Sequence, residues 1–158
     1  MSWAETLKIN SNMRKPLDKA TYEMFYMLAI LQNGGYGTNK DPILIVPDYK
    51  ETIDTAEYSN GNMKIVVLPQ TIINIGTRGF DQCTNLETIF IPNGVEIISG
   101  FAFRGCTKLN NIRLPASIKV INSLAFSDSV QHIFVPWNEG SVDGAPWGAT
   151  NAMIHYNS

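Results

Sequence analysis

Charged residues are scarce in this sequence, and the shortage limits what the protein can bind. Aspartate, glutamate, lysine and arginine make up 16% of the 158 residues, against a typical share of about 25%. The formal net charge of −2 gives no electrostatic footprint for nucleic acid or for an anionic lipid surface. Such a surface is either an ordinary soluble one or one that other chains partly cover.

Long apolar runs are missing as well. No run reaches the roughly 18 apolar residues of a membrane-spanning helix, so no membrane span is predicted. Residues 1–15 lack the apolar core and the small-residue cleavage site of a signal peptide. We therefore expect the chain to stay in the cytosol or to be released as part of a particle that is assembled there.

Residues that carry chemistry are few and scattered. The two histidines, His132 and His155, are expected to be surface imidazoles, and no spacing of cysteine, histidine and aspartate matches a metal motif. The carboxylates of Glu51, Asp54 and Glu57 are spaced for one solvated face, whereas glycoside cleavage needs two converging acids. The sequence therefore predicts a protein without catalysis, metal or cofactor.

What the sequence does contain is a repeat. Phe80, Phe103 and Phe126 recur at one constant interval. A fixed period in the twenties is typical of a solenoid, in which each unit buries its apolar side against its neighbours. We expect the three phenylalanine rings to stack along the core. The same interval separates the members of four further sets: Ile75, Ile98 and Ile121; Ile72, Val95 and Ile118; Pro69, Pro92 and Pro115; Cys83 and Cys106.

The two cysteines share one repeat position, so they are interpreted as packing residues. Adjacent rungs of a parallel sheet stack about 4.8 Å apart, which allows a Cys83–Cys106 disulfide geometrically. Two free, buried thiols are the favoured state because a reducing compartment works against a bridge.

A helix is predicted ahead of the repeats, over residues 17–32, with Pro16 at its start and Gly34-Gly35 ending it. Its residues are apolar on every side, so we expect it to be buried all round. One interpretation is a cap on the solenoid, with residues 1–13 packing the remainder. The favoured interpretation is self-association or docking through the aromatic residues Tyr22, Phe25 and Tyr26.

Three regions follow from these patterns: a helical assembly segment over residues 1–40, a solenoid over 41–136 and a C-terminal cap over 137–158. Residues 43–64 are interpreted as a degenerate opening repeat. Within the cap, residues 152–156 alternate apolar and polar residues and predict a last strand that pairs with the sheet. Trp137 and Trp147 are expected to form the core of the cap, in preference to sugar-stacking platforms.

The repeat unit L-x-x-I-x-I-P-x-x-V-x-x-I-x-x-x-A-F-x-x-C resembles the BspA-type leucine-rich repeat, a bacterial and viral class. The resemblance is strong over residues 65–136 and weaker over 43–64. It implies an α+β repeat solenoid with a parallel β-sheet, an N-terminal helix and a C-terminal strand cap. One unit carries the pattern on Leu86, Ile89, Ile91, Pro92, Val95, Ile98, Ala102, Phe103 and Cys106.

The two ends of the chain resemble proteins of bacteriophages. The closing VPWNEGSVDGAPWGATNAMIHYNS is similar to the C-terminus of small phage-encoded leucine-rich repeat proteins. The opening MSWAETLKINSNM resembles the start of phage tail-region proteins. This resemblance implies a structural or attachment component of a virion, located in the particle and assembled in the host cytoplasm.

One column of residues is a candidate binding surface. Phe90, Arg113 and Phe134 occupy the outward strand position of successive units, with Val66 assigned to that position in the first regular unit. Exposed aromatics beside an arginine are common in interfaces, although β-formers on an exposed face are the plainer interpretation. Expected partners are other virion proteins, further copies of the chain, and a host surface glycan or protein. The alternative function is a bacterial surface adhesin.

Overall fold

The computed structural model describes residues 17–158, which form one helix and ten short strands. The helix lies at the N-terminal end, and the strands follow at intervals set by the repeat. The elements are α1 (Lys19–Asn33), β1 (Ile43–Ile45), β2 (Thr52–Ile53), β3 (Ile65–Val67), β4 (Asn74–Ile75), β5 (Thr88–Phe90), β6 (Ile97–Ile98), β7 (Asn111–Arg113), β8 (Val120–Ile121), β9 (His132–Phe134) and β10 (Met153–His155).

Local capping sets both ends of α1. The side chain of Asp18 accepts a hydrogen bond of 2.8 Å from the backbone N–H of Thr21, which satisfies one of the free donors of the first turn. Gly34 takes a left-handed conformation with φ of 71°, which a residue without a Cβ adopts at little cost. The predicted stop at Gly34 is confirmed, whereas the helix begins at Lys19 instead of residue 17. The predicted role of Pro16 lies outside the described residues.

The strands form parallel sheets on two sides of the solenoid. The main side consists of β1, β3 and β5, hydrogen-bonded in that order, followed by a second group of β7, β9 and β10. The opposite side is a four-stranded sheet in the order β2, β4, β6, β8. Every pairing is parallel. The predicted parallel-sheet solenoid with an N-terminal helix and a C-terminal strand is confirmed.

The core between the two sides is built from columns of equivalent residues. Phe80 lies 5.6 Å from Phe103 between ring centroids, and Phe103 lies 5.7 Å from Phe126, with the rings nearly parallel. Tyr58 extends the column by stacking on Phe80 at 5.6 Å. The predicted aromatic ladder is therefore confirmed, and the opening repeat contributes a tyrosine to it.

Both cysteines are free and buried, as favoured from the sequence. The Cys83 thiol donates to the carbonyl of Tyr58 at 3.1 Å, and the Cys106 thiol donates to that of Phe80 at 3.2 Å. Burial raises the pKa of the Cys83 thiol to about 11 and raises that of Cys106 as well. Both groups are thus held neutral as packing residues.

The region over residues 137–158 continues the solenoid as a further rung. Strand β10 pairs with β9 in parallel, and the Trp147 carbonyl accepts the N–H of Phe126 at 3.0 Å. Trp147 is fully buried, and its indole N–H donates to the carbonyl of Asp143 at 2.7 Å. Trp137 is partly buried and packs against the same core. Trp147 therefore belongs to the core, as expected.

Candidate binding surface

The main side of the solenoid consists of the sheets β1–β3–β5 and β7–β9–β10, which we together call the main sheet. It has an inner face in the core and an outer face that the described residues cover over only half of its length. We call the outer positions of β1, β3 and β5 the covered half; they are Ile43, Ile45, Ile65, Val67, Thr88 and Phe90. The outer positions of β7, β9 and β10 form the open half; they are Asn111, Arg113, His132, Phe134, Met153 and His155.

Helix α1 accounts for the covered half. Tyr22 and Tyr26 are 6% and 1% exposed and lie in one cluster with Ile45, Ile65 and Val67. Their rings meet an apolar surface, since the outer positions of β1 and β3 are isoleucine and valine. The aromatic side of the helix thus completes the hydrophobic packing of the first strands.

The two tyrosine hydroxyls reach the backbone at the ends of the strands. Tyr22 donates to the carbonyl of Leu68 at 2.6 Å, and Tyr26 donates to the carbonyl of Val46 at 2.6 Å. Burial raises the pKa of both phenols well above the ordinary value for tyrosine. The hydroxyls therefore remain protonated donors that fix the helix on the sheet.

These contacts correct one expectation for the helix. Tyr22, Phe25 and Tyr26 were expected to meet a partner, but Tyr22 and Tyr26 are buried against the chain's own sheet. Phe25 packs on Phe90, with 4.8 Å between ring centroids. Only one side of the helix meets the chain's own sheet, and Met24 remains 67% exposed. The expected packing of the other side by residues 1–13 lies outside the described residues, and its burial by a partner stays a prediction.

The predicted stripe of Phe90, Arg113 and Phe134 is divided between the two halves. Phe90 pairs in register with Val67, so Val67 and not Val66 holds the outward position of the first regular unit. Val66 points inward and is fully buried. Arg113 and Phe134 are neighbours in register on β7 and β9. The structure therefore brings these last two together and places Phe90 with the helix.

A second register neighbour, His155 on β10, completes a three-residue stack in the open half. The guanidinium carbon of Arg113 lies 5.1 Å from the centre of the Phe134 ring. The His155 ring lies 4.4 Å from that of Phe134, with 10° between the planes. Because β7 and β10 flank β9, the arginine and the histidine cover opposite faces of the Phe134 ring. Phe134 consequently offers its edge, and neither of its faces, to a partner.

Arg113 supplies the positive charge of the open half. Its Nη1 and Nη2 atoms donate to the backbone oxygen and the hydroxyl of Ser158 at 3.1 and 3.4 Å. Its Nε atom is buried without a hydrogen-bond partner among the described residues. Burial lowers the pKa of the guanidinium, which nevertheless stays charged because arginine does not deprotonate in proteins. A partner with a carboxylate or another acceptor oxygen would complement this group.

The histidines lie together, which the sequence interpretation missed. The Nδ1 atom of His132 is 2.9 Å from the Nε2 atom of His155. Such a contact needs a hydrogen on one nitrogen and a lone pair on the other, so one of the two rings must be neutral there. The sequence contained the signal for this contact: aligning residues 153–155 with residues 132–134 as paired strands places both histidines on the outer face. The last strand was predicted without this register.

Within residues 17–158, no group of three or more histidine, cysteine, aspartate or glutamate residues is arranged to hold a metal ion. Over the same range, no helix is long and apolar enough to cross a membrane. The open half presents a cation, ring edges and imidazole nitrogens on its outer face.

A family model described as "BspA type Leucine rich repeat region" matches residues 44–143 in six copies. The match runs from β1 to beyond β9. No curated protein is a significant match to the chain.

Three solved structures share the fold. A leucine rich cell surface protein from Faecalibacterium prausnitzii A2-165 has a TM-score of 0.66 and 25% identity, covering 75% of this chain and 33% of that one. The pneumococcal vaccine antigen PcpA has a TM-score of 0.64 and 20% identity, over 75% of this chain and 31% of that one. The leucine rich repeat protein TpLRR of T. pallidum has a TM-score of 0.52 and 22% identity, covering 77% of this chain and 71% of that one. The chain thus spans about one third of the length of the first two.

Proposed function

Because the chain belongs to the BspA-type leucine-rich repeat family, we propose that it is a non-catalytic structural or attachment component of a bacteriophage virion. Its partner is bound by the open half of the main sheet. The observation that carries this proposal is the contrast between the two sheets of the main side, where α1 seals the first three strands and leaves Arg113, Phe134 and the two histidines uncovered.

The open half has the composition of an interface centre. Aromatic residues and arginine are enriched in such centres, and lysine, glutamate and aspartate are depleted. None of its six outer residues is a carboxylate or a lysine. Arg113 is already held in place by Phe134 and Ser158, so binding costs little side-chain entropy.

The same geometry favours a protein partner over a neutral sugar. A sugar platform needs a free aromatic face, whereas both faces of Phe134 are covered and Trp147 is fully buried. Ring edges, the Arg113 cation and imidazole nitrogens instead suit an acceptor-rich polypeptide surface. The proposed partners of the open half are therefore other virion proteins, with a host surface protein as the target of an attachment role. Further copies of the chain are proposed as partners at another surface.

The virion role draws on the resemblance of both ends of the sequence to phage-encoded proteins, and under this proposal the chain is part of the particle. A bacterial surface adhesin is the second candidate. It is favoured by the F. prausnitzii structure, whose description is that of a leucine rich cell surface protein and which is 25% identical over 75% of this chain.

The test is to locate the chain and then to change the open half. Antibodies against the chain should label phage particles purified from an induced culture of the source strain. Immunogold electron microscopy of the particles and of intact cells measures the labelling of each. Labelling of cell walls alone would contradict the virion role and support the adhesin.

The binding surface is tested on the same particles or cells. We expect Arg113→Ala combined with Phe134→Ala to lower binding of the purified chain at least tenfold. The matched control is Leu124→Ala, which alters an exposed side chain outside the open half and should leave binding unchanged. Equal binding by all three proteins would refute the open half as the contact surface.

A further inference from the structure

The side of α1 that faces away from the sheet carries an exposed apolar surface, which we call the outer seam. Five of the eleven exposed large apolar side chains of the described residues belong to it. An apolar surface of this kind on one helix is unusual because monomeric proteins rarely leave large contiguous apolar patches in water. The residues and their exposures are Leu17 (39%), Met24 (67%), Met27 (51%), Leu28 (54%) and Leu31 (73%).

The spacing of the seam is that of a helix-pairing surface. Met27 and Leu28 follow Met24 by three and four residues, and Leu31 follows it by seven. These are the a, d, e and next a positions of a heptad, of which the a and d positions pack against another helix as knobs into holes. Leu17 lies two residues ahead of the helix start at Lys19 and adds one more exposed apolar side chain near the N-terminal end of the seam.

Charge does not oppose pairing of the seam with an identical one. The helix has only two charged residues, Lys19 and Glu23. The carboxylate of Glu23 accepts a hydrogen bond of 3.0 Å from Gln70 on the chain's own surface. A twofold arrangement brings the same patch of both copies together, so the absence of charge within the seam is what self-pairing requires.

The helix is also fixed before any partner arrives. A free helix as short as α1 would be marginal in water. Tyr22 and Tyr26 hold this one on the sheet through hydroxyl contacts of 2.6 Å. The seam therefore presents its side chains in a set geometry, and pairing does not have to offset the entropy of forming the helix.

The area is sufficient for a weak but specific dimer. Burying a leucine or methionine side chain removes roughly 100 Å² of apolar surface from water. Five such side chains from each of two copies bury on the order of 1,000 Å², the lower limit for a specific interface.

We propose that two copies of this chain associate through their outer seams, with the α1 helices packed against each other across a twofold axis. This inference rests on the proposed function, which includes further copies of the chain as partners. It deepens that proposal by naming the surface through which two copies meet. The seam and the open half are different surfaces, on α1 and on β7, β9 and β10, so each can be tested with the other intact.

Analytical ultracentrifugation of the full chain between about 1 and 200 µM tests the proposal. We expect a monomer–dimer equilibrium with a dissociation constant in the micromolar range. The combined variant Met24→Glu and Leu31→Glu should weaken the dimer at least 100-fold. The matched control changes Tyr49→Glu and Leu124→Glu, which are 81% and 52% exposed elsewhere on the chain, and should dimerise normally.

Folding of each variant is checked by circular dichroism and thermal unfolding. The substituted positions are exposed, so all proteins should show the wild-type spectrum. A wild-type chain that is monomeric at 200 µM, or a dimer that tolerates both seam substitutions, would overturn the proposal.

The occupant of the seam is identified by alkylation of a Leu31→Cys variant. A second copy predicts that the alkylation rate falls as the protein concentration rises through the dissociation constant. A slow rate at every concentration would mean that residues 1–16 or another part of the chain covers the seam, and would overturn the proposal. A chain that is monomeric, and whose binding to particles or cells still depends on Arg113, would overturn this inference and leave the proposed function standing.

Discussion

The two halves of the main sheet share a backbone and a core but differ on their outer face. In the covered half, Ile45 and Val67 are fully buried beneath α1. In the open half, the corresponding column holds Arg113, Phe134 and His155, all only partly buried. The difference shows that one repeat can serve two purposes, since its inward residues fix the fold and its outward residues are free to vary with what lies on them.

The halves should respond differently when an aromatic side chain is removed. Tyr26→Ala leaves a cavity under the helix, and we expect a loss of about 3–5 kcal/mol in the free energy of unfolding. Phe134→Ala removes an aromatic stack on an open surface and should cost only about 0.5–1.5 kcal/mol. Urea unfolding measures both values. Equal losses would erase the distinction between the halves.

Alkaline pH should act on groups that burial keeps neutral. The pKa values of Tyr22 and Tyr26 are raised in the folded chain, while the unfolded value is about 10. The stability they contribute is therefore complete below about pH 10 and is lost above it. Between pH 10 and the raised pKa of the folded chain, each such group lowers the free energy of unfolding by about 1.4 kcal/mol per pH unit.

The Cys83 thiol adds to this loss at lower pH. Its pKa rises from an ordinary value of 9.0 to about 11 on folding, so its contribution falls between about pH 9 and pH 11. Unfolding curves from pH 8 to 11.5 should show the decline, and replacing Tyr22 and Tyr26 by phenylalanine should make it shallower above pH 10. A free energy of unfolding that stays constant up to pH 11.5 would contradict the burial of these groups.

A smaller effect comes from the hydroxyl of Tyr22. Tyr22→Phe leaves the ring in place but removes the donor to the Leu68 carbonyl, and an unsatisfied buried carbonyl should cost about 1–2 kcal/mol. Tyr49→Phe is the control, because Tyr49 is 81% exposed and its change should stay within about 0.5 kcal/mol. Denaturant unfolding gives both numbers, and a Tyr22 effect as small as the control would show that the helix is not fixed by this bond.

The repeat made most of the fold predictable. The constant interval between Phe80, Phe103 and Phe126 determines both the stacking direction and which side chains face inward, because equivalent residues of a solenoid occupy equivalent places. The end of the helix at Gly34 was predictable for a local reason, since glycine adopts the left-handed conformation at little cost.

The surfaces were harder to predict because their assignment depends on contacts between distant parts of the chain. The helix is apolar on both sides. Composition alone therefore could not predict that Tyr22 and Tyr26 face the sheet while Met24 and Leu31 face away from it. The last strand was predicted to pair with the sheet but without a register. The pairing of His132 with Met153 supplies that register, and the meeting of His132 and His155 follows from it.

The most direct test compares two positions of one outer column, Ile65 in the covered half and Met153 in the open half, which are 3% and 60% exposed. Single Ile65→Cys and Met153→Cys variants are alkylated under native conditions and again after unfolding, with Cys83 and Cys106 buried in both native proteins. We predict that the introduced thiol at 153 reacts at least 100-fold faster than the one at 65 in the native chain, and that both react equally once the chain is unfolded. Similar native rates at the two positions would contradict a sheet that is sealed by α1 on one half and open on the other.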